Sequence, residues 1–178
     1  MEEHTNAIKK KFAARVWILR HLKKISLAPN KMTAVYMSMI RSQIEYGSVA
    51  YGTLLTNGQS AAIERLQSIA LKTIWGWDKN YAECLELSGL ERLDVRRANT
   101  LRTFAHKTCQ NARFSSTWFP LNEETEHDLR RREKYKISFA RHERLRRAPI
   151  HAMRRILNDD ESDLATCGND PDLSLIHI

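Results

Sequence analysis

Apolar side chains recur through the first hundred residues in steps of three and four, with polar residues filling the positions between them. Ile8, Phe12, Val16, Leu19 and Leu22 fall on one face of a helix over residues 5–25, and the lysines and arginines among them face elsewhere. After ISLAPN, Pro29 suits a first helical turn. A second stripe of Met32, Val35, Tyr36, Met39, Ile40, Gln43 and Ile44 then runs to a stop at Gly47. Residues 47–58, rich in Gly and Thr, read as a loop in which SVAYGTLL could form a short extended piece. Thr56 precedes Gln59 by three residues, the spacing of a capping box, and opens a helix with Ile63, Leu66, Ala70 and Ile74 inward and Gly76 as its stop. A short helix from Tyr81 to Ser88 ends at Gly89. Asp94 is placed to cap a further helix that buries Val95, Ala98, Leu101, Ala105 and Cys109.

From Phe114 the pattern weakens into SSTWFPLNEETEHDLRRREKY, a polar stretch expected to be loop. Helical periodicity returns in part at Ile150, Met153 and Leu157. Nothing keeps the two-residue alternation of a sheet. The expected fold is all-α: a small bundle of about five helices over 1–112, a basic and partly irregular extension over 113–158, and an acidic, disordered tail over 159–178.

Charge sharpens this picture. The chain carries a formal +8, but residues 1–157 hold all 29 lysines and arginines against 15 of the 21 acids, a surplus of 14. So large an imbalance repels itself in a folded chain and calls for a polyanionic counterpart. No apolar run approaches the roughly 20 residues of a membrane span, and MEEHTNAIKKK lacks the apolar core of a signal peptide. The expectation is a soluble chain of the nucleus or cytoplasm, neither secreted nor membrane-bound.

Candidate chemistry is sparse. Cys84, Cys109 and Cys167 are odd in number and far apart, which argues for a reducing compartment. The seven histidines are scattered without zinc-ligand spacing, so no metal or cofactor is expected. Phosphate-loop, nucleophile-elbow and zinc-protease signatures are absent. Asp159 and Asp160 lack the apolar strand flanks that a two-metal carboxylate pair requires. Tyr46, Tyr51, Trp75 and Trp77 could stack on bases, but Tyr46 lies near the buried stripe and Trp75 closes a helix, positions that favour packing.

The basic residues carry the strongest signal. Between Arg130 and Arg155 stand eleven lysines and arginines against Glu133 and Glu143 alone. A guanidinium fork matches phosphate oxygens. The candidate nucleic-acid contacts are Arg130, Arg131, Arg132, Arg141, Arg144, Arg146, Arg147, Arg154 and Arg155. Ile150, Met153 and Leu157 would anchor that segment. Lys9, Lys10, Lys11, Arg15, Lys23 and Lys24 form a second basic surface on the first helix. Such surfaces grip a backbone without reading its bases.

Five stretches then appear in a telling order: FAARVWILRHLKK; VYMSMIRSQIEYGSVAYGTLLT; IERLQSIALKTIWG; YAECLELSGLERLDVRR with FAHKTCQNARF and WFP; and ERLRRAPIHAMRRILN. Together they resemble the region downstream of the catalytic palm in reverse transcriptases of non-LTR retrotransposons, the jockey-like and related LINE elements, over roughly residues 4–158. The resemblance implies a helical thumb and C-terminal segment of an RNA-directed DNA polymerase, gripping RNA, DNA or their hybrid and adjoining the palm of the same polymerase. The family's catalytic aspartates lie upstream, in a Tyr/Phe-Ala-Asp-Asp motif that this sequence does not contain. No catalytic residue carries over, and the magnesium ions of such a polymerase would belong to the palm. This chain departs from the family at Tyr51, commonly Trp, and at Ala148, Pro149, Ile150 and His151, commonly SPIP.

The rival reading is a basic helical module that docks an acidic protein. An independent enzyme would need a catalytic constellation that the sequence lacks. Leu173–Ile178, LSLIHI, continue no earlier pattern. Codons CTG TCT CTT ATA CAC ATC would encode them, a string similar to a transposase adapter end of sequencing libraries, so these six residues are expected to be an assembly artefact.

Overall fold

The computed structural model describes residues 2–122 and 133–167, with side chains up to residue 160. Helices dominate, and the described residues contain no strand, only an isolated antiparallel bridge between Leu121 and Tyr135. The all-α expectation holds. The chain divides into two compact units, Met1–Thr100 and Leu101–Ile178, where the sequence pattern places a boundary after residue 112.

In the first unit α1 (Glu2–Lys24) packs on α5 (Asn57–Trp75), and the core gathers around them. α1 buries Ile8, Phe12, Val16 and Leu19, the predicted stripe, with Leu22 partly covered. Full burial of each such side chain stabilises by about 1.5–3 kcal/mol. α5 starts at the predicted capping box, both reciprocal bonds of Thr56 and Gln59 being present, and stops at Gly76. A second capping box, Asn80 with Glu83, opens α6 (Tyr81–Ser88), which ends on left-handed Gly89.

Between α1 and α5 the helical path has a defect that periodicity does not show. α2 (Pro29–Val35) passes into a π-helical turn over Tyr36–Arg41 and resumes as α3 (Ser42–Glu45). The wider turn carries both Tyr36 and Arg41, five residues apart, to the buried side. It leaves Met39 and Gln43 exposed, although the stripe predicts both inside. The segment SVAYGTLL is also not extended. It coils into α4 (Ser48–Tyr51) and a 3₁₀ turn over Gly52–Leu54, because Gly47 at φ +70° reverses the chain and the buried Tyr51 hydroxyl donates to the Ile44 carbonyl.

α7 (Leu93–Cys109) runs through the boundary between the units. Asp94 lies inside its first turn, accepting from the Val95 amide and the Arg92 guanidinium, so it is not the residue before the helix. The buried positions are Leu93, Arg97, Leu101, Ala105 and Thr108, whereas the predicted Val95 and Ala98 are exposed and Cys109 is half-buried. The two readings diverge because the buried row steps by four from Leu93.

The second unit also holds α8 (Ala112–Trp118), a single turn α9 (Glu143–Arg146) and α10 (Pro149–Cys167). Met153 and Leu157 are buried as predicted. Asn158 pairs with the Tyr135 backbone as a strand would, its Oδ1 accepting from the Tyr135 amide at 2.9 Å and its Nδ2 donating to the carbonyl at 3.0 Å. α10 continues helically through Asp159 and Asp160, which corrects the expectation that disorder begins at 159. There Asp160 meets Arg102 at 2.8 Å and His106 at 2.9 Å. The rest of the acidic tail, from residue 168, and Leu173–Ile178 within it lie outside the described residues.

Candidate nucleic-acid interface

From His4 to Ile44 the chain contains no acidic residue, and in that interval it places Lys9, Lys10, Lys11, Arg15, Arg20, Lys23, Lys24, Lys31 and Arg41. Most of these stand on α1, whose buried stripe faces α5 and leaves the remainder of its circumference to solvent. Lys10, Trp17 and Lys24 are seven residues apart and form one row along the exposed side, flanked by Arg20 and His21. Trp17 is 55 % exposed and meets the His21 ring edge-on at 5.7 Å. An exposed indole amid ammonium and guanidinium groups offers both a stacking face for bases and counter-charges for phosphates. Lys9 and Lys11 are likewise exposed, and Arg15 leans along the helix to donate to the Lys11 carbonyl at 3.3 Å.

Two basic residues of the first unit serve the fold instead. Lys23 donates through Nζ to the Ile74 carbonyl at 2.6 Å, closing the last turn of α5. One of its three donors is thereby engaged at the helix end, and the side chain stays exposed. Arg41 is only 5 % exposed and shares Glu45 with Arg96, at 3.3 Å and 2.8 Å.

The predicted arginines of the second unit separate in the same way. Arg154 is 8 % exposed and ties two chain segments together, donating through Nε to the Trp118 carbonyl at 2.7 Å and through Nη1 to Lys136 at 3.1 Å. It is a structural clamp, so the expectation that it holds phosphate is corrected. Arg141 and Arg144 are exposed and make no hydrogen bond or ion pair among the described residues. Arg146 donates to the Ala140 carbonyl at 3.0 Å, and Arg155 to the Arg146 carbonyl at 2.6 Å, both guanidiniums keeping exposed donors. Arg147 is half-buried. Arg130, Arg131 and Arg132 lie outside the described residues.

Among the aromatic candidates, Tyr46 is 81 % exposed, contrary to its expected place near the core, because the stripe of α3 ends at Ile44. Trp77 is exposed, Trp75 half-buried and Tyr51 buried. Periodicity arguments aimed at the core miss Trp17 and Arg20. The seven-residue row through Lys10, Trp17 and Lys24 was the available signal.

Among the described residues no group of three His, Cys, Asp or Glu side chains could hold a metal ion, and no helix is long and apolar enough to cross a membrane. The buried polar network of the first unit, Tyr36, Glu64, Gln67 and Tyr81, bonds internally. Comparison with protein-family models, curated proteins and solved structures returns no match for this chain.

Proposed function

We propose that the chain is a non-catalytic nucleic-acid-gripping piece of a non-LTR retrotransposon reverse transcriptase, the helical region beyond the palm, holding template and product strands by their phosphates. One observation carries the reading: the solvent side of α1 presents Lys9, Lys10, Lys11, Arg20 and Lys24 around an exposed tryptophan, in an interval with no acidic residue. The ordered sequence resemblance and the all-α fold support the parentage. In this reading catalysis, and the magnesium it uses, belongs to the palm, and this chain supplies affinity and register.

Counterion release tests it. Neutralising about six phosphates should lower affinity for a duplex or hybrid by roughly a thousandfold between 50 and 200 mM salt. Titration by fluorescence anisotropy, with an acidic polypeptide as competitor at matched ionic strength, separates this reading from a protein-docking module. A flat salt response, or displacement by the polypeptide at concentrations where unlabelled duplex has no effect, overturns it.

A further inference from the structure

In the second unit the extended segment 137–140, α9 and the start of α10 enclose a cleft of about 220 Å³. Two guanidiniums line it, Arg146 and Arg155, together with the His151 imidazole and the Phe139 ring. Both arginines are held by main-chain carbonyls, Arg146 by Ala140 and Arg155 by Arg146 itself. A guanidinium has five donors, and each carbonyl occupies one, so the rest are fixed in place and unspent. The nearest acid, Glu143, lies 3.9 Å from Arg146 and is largely solvated. The His151 imidazole also lines the cleft, and its Nδ1 is buried without a hydrogen-bond partner, which is costly for a polar group. Phe139 is 91 % exposed, with little protein against its ring.

We propose that this cleft binds the terminal phosphate monoester of a nucleic-acid strand, with Arg146 and Arg155 as the charge partners, His151 as a third donor and Phe139 as the platform for the terminal base. This rests on the nucleic-acid reading above and names the part of the strand that the second unit takes. Charge selects the terminus: a monoester carries nearly two negative charges at neutral pH, matching two guanidiniums, while each internal phosphodiester carries one. Burial first, and then the cations Arg154 and Arg155, hold the His151 pKa below its ordinary 6.5. Arg146 adds a further positive charge from α9, and the segment 137–140 contributes no titratable group. A bound dianion reverses that balance, so His151 takes up a proton as the phosphate enters.

The test uses the full chain and one oligonucleotide sequence carrying a 5′-phosphate, a 3′-phosphate or hydroxyl ends. One phosphorylated form should bind about tenfold tighter than the hydroxyl form, the size of one well-made charge-assisted contact. Arg155→Gln and Arg146→Gln should erase the difference between the phosphorylated and hydroxyl forms. Because both arginines also brace the chain, Phe139→Ala, at a position that cannot disturb packing, serves as the second variant and should weaken the phosphorylated form about fivefold or more. In imidazole NMR, the His151 pKa should rise on addition of the phosphorylated strand. Equal affinity for all three strands, or an unmoved His151, overturns the cleft site while leaving the grip of α1 intact. Failure to bind any strand overturns the wider reading instead.

Discussion

The Tyr36 hydroxyl donates to Oε1 of Gln67 across 2.9 Å, at a point where both side chains are fully buried. Gln67 in turn donates through Nε2 to the Tyr81 hydroxyl at 3.0 Å and to the Glu91 carbonyl at 2.9 Å. Tyr81 donates to Glu64, whose carboxylate accepts the Leu93 amide. One glutamine thus joins the π-turn, α5, α6 and the entry to α7. Gln67→Leu keeps the volume but strands the Tyr36 hydroxyl and the Glu91 carbonyl and leaves Tyr81 with Glu64 alone. A loss of about 2–4 kcal/mol follows, read as a lower urea midpoint; an unchanged midpoint would show that water replaces the glutamine.

The same burial predicts an alkaline limit. Desolvation raises the pKa of Tyr36, Tyr51 and Tyr81 above the ordinary 10.0, and Glu64 raises Tyr81 further. The unfolded chain therefore releases these protons first. Their contribution to stability is complete below pH 10 and is lost as pH climbs beyond it. Tyrosinate absorbance should rise in step with the loss of helical circular dichroism; ionisation of all five tyrosines with the helices intact would contradict it.

Ser26 sits at φ +57° just after α1, where its amide donates to Lys23 and the Leu27 amide reaches back to Leu22. Gly89 occupies the equivalent place after α6. A side chain is strained in this left-handed conformation. Ser26→Gly should therefore stabilise the protein by about 0.5–1 kcal/mol, visible as a melting temperature higher by about 1–4 °C.

Arg154 and Lys24 distinguish structural from binding cations. Arg154→Lys loses the fork that spans the Trp118 and Lys136 carbonyls and should cost about 1.5–3 kcal/mol of stability, with the salt dependence of strand binding unchanged. Lys24→Ala should leave the melt unaltered and reduce the salt slope by about one. An exchange of those two outcomes would mean that the roles are reversed.

Trp17→Ala addresses stacking alone. Affinity for a single strand should fall about tenfold or more, with the slope against salt preserved. Equal binding by wild type and variant would leave α1 as a purely electrostatic surface.

Much of the local fold is legible from residue pattern. The stripe of α1, the Thr56 capping box and the glycine stops at Gly76 and Gly89 depend on neighbours within one or two turns, and each appears where periodicity puts it. The π-turn does not announce itself, because Met32 to Ile44 fit an α-helical stripe nearly as well. The structure instead has a wider turn that buries both Tyr36 and Arg41. α7 misleads for a related reason: Val95 and Ala98 are apolar enough for a core, yet the row from Leu93 through Arg97 wins the contact.

Sequence alone determined the helical class, the caps and the surplus of positive charge, since these follow from composition and short-range spacing. Tertiary structure decided which cations are available. Lys23 and Arg154 look no different in sequence from Lys24 and Arg155, but carbonyls distant in the chain, Ile74, Trp118 and Lys136, occupy the first pair. A long basic side chain goes to whichever acceptor folding brings within reach, and that acceptor is a fact of three dimensions.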